Sequence, residues 1–191
     1  MRKLLCIALL LLTAAAQAAI EVEGVKFADR TRLGNAELVL NGAGMRSKFI
    51  IKAYAIGLYL AEKKAAIGDI LAMKGPKHIE VVALRDMSGE QLADALDGAV
   101  RKNSSAAEMA VLNDRLGEMT AMILAFKLAP KGAVIAFDWL PESGTRLMFQ
   151  GKAQGRDIPG EDFYRALLKV WLGERPAQAD LRDALLGKPQ H

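Results

Sequence analysis

The chain has 191 residues, 26 Lys+Arg against 22 Asp+Glu, and a formal net charge of +4. That is enough length for one domain with its own core, and too balanced a charge for a nucleic-acid-binding surface, since no Lys/Arg cluster is interleaved with aromatics. One Cys and two His argue against a disulfide framework and against a zinc site, and no cofactor motif is present.

The amino terminus reads as a processing signal. Arg2 and Lys3 precede an apolar run, residues 4–12, too short to span a bilayer, and Ala16-Gln17-Ala18 offers a small-x-small cleavage site. Residues 1–18 are thus expected to be a signal peptide and residues 19–191 an exported, periplasmic domain. Cleavage would take the charge from +4 to +2 and remove Cys6, leaving no thiol and no disulfide. No second apolar run of membrane-spanning length, internal repeat or low-complexity stretch follows.

The first half reads as sheet. Residues 22–27, 37–40, 49–60 and 79–84 are rich in β-branched, aromatic and aliphatic side chains, with Gly34-Asn35 and Asn41-Gly42 as turns. A short helix is predicted over 65–73, ended by Gly75-Pro76. Ser88-x-x-Gln91 and Ser105-x-x-Glu108 then have the form of capping boxes, each just ahead of helical periodicity. Leu92, Ala95, Leu96, Ala99 and Val100 share one face of the first helix. In the second, Met109, Leu112, Leu116, Met119, Ile123 and Phe126 form an apolar stripe, which reads as core or, given its Met content, as a deformable ligand wall.

Strands are predicted next over 133–139, 145–150 and 153–158, the first two joined by a hairpin at Pro141-Glu-Ser-Gly144. After Pro159-Gly160, a helix over 161–172 buries Phe163, Leu167, Val170 and Trp171 and stops at Gly173; a last short helix spans 179–186. Strands and helices without regular βα alternation predict an α+β fold, an antiparallel sheet with helices packed on it.

Few residues can carry chemistry. A Ser-His-Asp triad would have to be built on His78, which reads as a solvated or strand-edge residue, because His191 is the terminus. No HExxH or calcium loop exists, and no metal site is expected. Gly42-Ala-Gly44 lacks the third glycine and the βαβ setting of a dinucleotide loop. Glu161 and Asp162 occupy a first helical turn, where they complement the helix dipole. Arg46 and Tyr54 remain, set in a sheet-like run. Taken alone, their commoner fates are a solvated strand residue and a core tyrosine with its hydroxyl at the rim.

The runs Gly42-Ala-Gly-Met-Arg46 and Lys52-Ala-Tyr-Ala-Ile-Gly-Leu-Tyr-Leu60 resemble the chalcone-isomerase-like superfamily, above all its exported bacterial members. The likeness continues through Leu84-Arg85-Asp86, Gly98 and Leu172-Gly173-Glu174. It implies an open-faced β-sandwich, a large antiparallel sheet with a layer of helices and a ligand cleft between. In the superfamily's enzymes the motif arginine stabilises developing charge, and a threonine polarises the ketone with a tyrosine from the helical layer. Here Arg46 matches, but Tyr54 stands at the threonine position and the region 88–126 contains no tyrosine. Val100 falls near the helical lysine position, which Arg101 or Lys102 could fill only with a shift. In the fatty-acid-binding relatives an arginine and a tyrosine at the two motif positions hold the lipid carboxylate.

The resemblance therefore implies a non-catalytic binder of a fatty acid or similar small amphipathic carboxylate. Arg46 and Tyr54 would hold the headgroup, Met109, Met119 and Met122 would wall the acyl chain, and Tyr164 would border the pocket. The alternatives are an isomerase (intramolecular lyase) acting on a chalcone-like enone, and an interaction domain with a vestigial pocket. The clamp carries a geometric condition. Eight residues of extended strand span about 26 Å at roughly 3.3 Å each, so Arg46 and Tyr54 can meet only across a bend, expected near Ser47-Lys48.

Overall fold

The computed structural model describes residues 19–188, so the predicted signal peptide, Cys6 and His191 lie outside the described residues. The chain opens with a β-hairpin, β1 (Ala19–Val22) and β2 (Val25–Ala28). Its two turn residues, Glu23 and Gly24, take φ of 52° and 80°, the left-handed conformation that matches strand twist in a two-residue hairpin. The single strand predicted over 22–27 is therefore folded back on itself.

β3 (Arg30–Leu33) turns at Gly34-Asn35, as predicted, into the long β4 (Ala36–Lys48), which pairs with β5 (Ile51–Leu60). The turn predicted at Asn41-Gly42 is a β-bulge inside β4. Pairing steps from Leu40↔Tyr59 to Gly42↔Leu58 and leaves Asn41 without a partner residue. Asn41 is buried, and its side chain joins two other segments: it donates to the Leu185 carbonyl at 2.7 Å and accepts from the Lys64 amide at 2.7 Å.

The rest follows as α1 (Ile67–Ala72), β6 (Lys77–Ala83), the short β7 (Met87–Ser88), α2 (Gly89–Lys102), α3 (Ala106–Leu124), the short β8 (Leu128–Ala129), β9 (Val134–Leu140), β10 (Gly144–Phe149), β11 (Lys152–Ile158), α4 (Glu161–Leu172) and α5 (Ala179–Leu185). Both predicted capping boxes are complete. Ser88 and Ser105 accept from the amides of Gln91 and Glu108, whose side chains reach back to the cap amides.

Seven strands form one curled antiparallel sheet in the order β11-β10-β9-β6-β5-β4-β3. Alternation along β5 divides the two faces. Ile56, Leu58 and Leu60 join the main core with the helices, whereas Ala55 and Tyr59 pack with Phe27 of the β1–β2 ribbon on the other face. The fold is thus α+β, an open-faced sandwich with one helical layer. Within α3, Leu112, Leu116, Met119 and Ile123 are each at most 3% exposed, and each stabilises the fold by roughly 1.5–3 kcal/mol. Among the described residues, no helix is long and apolar enough to cross a membrane.

His78 is not at a strand edge. It lies within central β6, flanked by β5 and β9, with Nδ1 2.5 Å from Asp138 Oδ1 and Nε2 3.8 Å from Glu80 Oε2. It belongs to the face away from the main helices, where Tyr59 packs against its ring at 5.4 Å.

Candidate functional site

The β4–β5 hairpin turns at Phe49-Ile50, two residues beyond the expected position. This supplies the bend, because Arg46 and Tyr54 become direct cross-strand partners. Opposed residues of an antiparallel pair point to the same face with Cβ atoms about 4.5–5.5 Å apart. A shift of register beside them, from Arg46↔Tyr54 to Ser47↔Lys52, adds Ala53 as an extra residue on β5.

Both side chains are held by the carboxy-terminal part of the chain. Trp171 Nε1, on α4, donates to the Tyr54 hydroxyl at 2.9 Å. Arg46 Nη1 donates to Gln178 Oε1 at 3.1 Å and to the Ser47 carbonyl, while the Ser47 amide donates to the same Gln178 oxygen at 2.9 Å. Gln178 is the residue immediately before α5, and that helix sits against glycines. A Cβ on Gly42 would lie 2.8 Å from the Leu185 carbonyl oxygen and closer still to that of Ala184. One on Gly44 would lie 2.8 Å from Leu181 Cδ1. Gly42-Ala-Gly44 is thus a flat landing for α5, and that landing places Gln178 on Arg46.

Burial pushes the Tyr54 pKa up, against the opposing effects of the Trp171 hydrogen bond and the Arg46 charge. The phenol stays protonated. Because an indole N–H only donates, it occupies a lone pair on the Tyr54 oxygen and leaves the phenolic hydrogen free to donate elsewhere. Among the described residues, Arg46 Nε and Nη2 have no acceptor.

Arg46 and Tyr54 line a cavity of about 810 Å³ between sheet and helices. Its sheet wall includes Ala53, Val81, Ile135 and Phe137, and its helical wall includes Leu92, Leu96 and Ala99 of α2 and Val170 and Trp171 of α4. Small residues on α2, Ala95, Gly98 and Ala99, keep that helix from filling the space. Five cations also line the cavity, Arg46, Lys48, Arg85, Lys102 and Arg175, and no carboxylate does. Among the described residues, none of the five makes an ion pair with a carboxylate. The same residues contain no group of three or more His, Cys, Asp or Glu able to hold a metal ion.

Four expected pocket residues, Met109, Met119, Met122 and Tyr164, lie elsewhere. Met119 is fully buried in the core, Met109 packs against that core, and neither lines the cavity. Tyr164 is fully buried too, donating to the Phe137 carbonyl at 3.1 Å, and its pKa is raised well above the usual value by burial and then by Asp138. The reason is lateral placement. Met122 of α3 stands over Gly155 of β11, and Glu118 pairs with Arg156 at 2.6 Å, so α3 covers the end of the sheet opposite Arg46 and Tyr54. Only its carboxy-terminal end, through Ile123 and then Phe126, reaches the cavity. Lys102 lines the cavity, whereas Val100 is buried and Arg101 is taken up by Asp97 and Asn113.

Trp171 and Gln178 were not legible as site residues. Trp171 reads as one more core position on α4, although a buried indole N–H always calls for an acceptor. Gln178 precedes a helix where Ser, Thr, Asp or Asn would cap better, and its side chain makes no capping bond.

No curated protein sequence matches the chain. Among solved structures it is similar to a fatty-acid binding protein of Arabidopsis thaliana, with a TM-score of 0.67 over 88% of this chain and 96% of that one. Their sequences are 15% identical, so the likeness is one of fold. A family model described as chalcone isomerase-like matches residues 18–187, nearly everything described above, and the chain belongs to that family.

Proposed function

We propose that this chain is an exported protein that binds a fatty acid or a similar amphipathic carboxylate and does not transform it. The observation that carries this reading is the pairing of Arg46 with Tyr54 in an otherwise largely apolar cavity. The free fork of the guanidinium suits a carboxylate's two oxygens, and the phenol adds a neutral donor beside it. The volume falls within the ~300–1,000 Å³ common for small-molecule sites, and Leu92, Leu96, Ile135 and Phe137 offer an acyl chain a dry wall. Binding by the Arabidopsis protein of similar fold is in keeping with such a role. Support for binding over turnover comes from the helices: Lys102 is the one ionisable side chain that α1–α5 contribute to the cavity lining.

The test is titration of delipidated protein with a long-chain fatty acid and with the alcohol of equal length. Charge-assisted hydrogen bonds contribute about 1.5–3 kcal/mol, so Arg46→Ala is expected to weaken the acid by roughly 10- to 100-fold and to leave the alcohol unchanged. Unchanged acid affinity in Arg46→Ala, with no lipid recovered on protein purified from its host, would overturn the proposal.

A further inference from the structure

The tip of the β4–β5 hairpin serves neither the core nor the turn. Phe49 is 92% exposed, Ile50 96% and Ile51 52%. Two-residue hairpin turns favour Asn and Gly, yet Phe49 holds φ of 56°, where a side chain beyond glycine or asparagine is disfavoured. Apolar bulk at this place therefore opposes both local conformation and solubility, and a run of exposed large apolar side chains marks a contact surface.

The surroundings say what it contacts. Lys48 precedes the tip, Lys52 beyond it is paired with Glu23, and Phe49 and Ile51 line the same cavity as Lys48, Arg85, Lys102 and Arg175. Those four cations make no ion pair among the described residues, and the cavity lining holds no carboxylate. An apolar projection that shares its cavity with unneutralised Lys and Arg is complementary to a surface that is negative outside and hydrocarbon inside. It is the arrangement by which interfacial segments settle at anionic headgroups, with long cationic side chains reaching up to the phosphates.

We propose that Phe49-Ile50-Ile51 inserts into an anionic phospholipid bilayer and seats the cavity opening on it. This deepens the binding role above and rests on it for its purpose, because an amphipathic carboxylate dissolves in a bilayer far better than in water. Docking at the opening would let such a ligand pass between membrane and cavity without crossing solvent.

The experiment is flotation of the purified chain with vesicles of phosphatidylcholine alone and of phosphatidylcholine mixed with phosphatidylglycerol, at low and high salt. Phe49→Gly/Ile50→Ser is compared with the parent chain on identical termini. Glycine is favoured at the φ of Phe49, so this variant folds at least as well. Expected results are at least tenfold tighter binding to the anionic vesicles, a loss of at least tenfold in the double variant, and weakening by salt. Lys48→Glu/Arg85→Glu should lose the preference for anionic lipid, and Ile50→Ser alone, at the tip residue outside the cavity lining, should weaken docking while keeping the affinity for dissolved fatty acid. Absence of vesicle binding, or binding that the tip variant retains, overturns docking even where fatty-acid binding stands. Tip-dependent docking by a chain that takes up no fatty acid supports the docking and overturns the ligand assignment instead.

Discussion

The Tyr54 hydroxyl is committed on one side and open on the other. Trp171 can only donate, so the 2.9 Å contact uses an acceptor site of the phenol and leaves its hydrogen free to donate. Burial, which raises the Tyr54 pKa, keeps that hydrogen in place across the working pH range. Trp171→Phe keeps an aromatic ring and removes this one donor. The expected outcome is a loss of about 1–2 kcal/mol in urea unfolding, combining a hydrogen bond with lost packing, and a three- to tenfold weaker fatty-acid titration. Equal ligand affinity in the variant would mean that the indole is only filler. Arg46 and Tyr54 stood out in sequence as polar groups in an apolar, strand-like run, and the resemblance to the chalcone-isomerase-like superfamily is what paired them. Their supports were not legible, since Trp171 and Gln178 lie 117 and 132 residues further along the chain.

At the scale of elements, β4 and α5 form one device. Asn41 is the bulge residue whose amide reaches the Leu185 carbonyl, and Gly42 and Gly44 clear the strand surface for the helix. Locally, Asn-Gly carries the same signal in a turn and in a bulge, and a reading of neighbours alone chooses the turn. What decides between them is a helix 144 residues away. The Phe49-Ile50 turn was missed for the converse reason, as its apolar residues read as strand. Gly42→Ala would press a methyl group into backbone carbonyls that cannot turn aside, so overpacking of about 2–3 kcal/mol is expected, with Gln178 displaced from Arg46. Gly117→Ala is the matched control. That position is helical and exposed, with nothing within 4 Å of a new Cβ, and the substitution should stabilise by roughly 0.5–1 kcal/mol. Chemical denaturation of the two variants should move in opposite directions. Similar midpoints would contradict the landing role of Gly42.

For the whole molecule, the fold class was legible because its signals are local: capping boxes ahead of α2 and α3, Gly34-Asn35 between strands, and apolar stripes on the helices. Strand order and the lateral position of each helix are set by long-range packing, which is why Met109, Met119 and Met122 of the α3 region were expected at a ligand wall and His78 as a solvated or strand-edge residue. His78 in fact joins the middle of the sheet. Burial alone would lower its pKa, but the hydrogen bonds and charges of Asp138 and then Glu80 outweigh that and raise it to about 9. Protonated, it links β6 to β9 on the face away from the helices. The ordinary histidine value is about 6.5, so the folded state holds this proton more tightly than the unfolded chain. The stabilisation is complete below that unfolded value, declines as pH rises, and is gone above the folded value near 9. A shift of this size corresponds to about 3 kcal/mol, since each pKa unit is worth about 1.4 kcal/mol. Thermal melts across this window should therefore show a falling Tm. In His78→Gln, which keeps polarity but cannot be protonated, the decline should flatten and stability at low pH should drop toward the level of the parent chain at high pH. A parent Tm that is constant across the window would show that the linked proton does not stabilise the sheet.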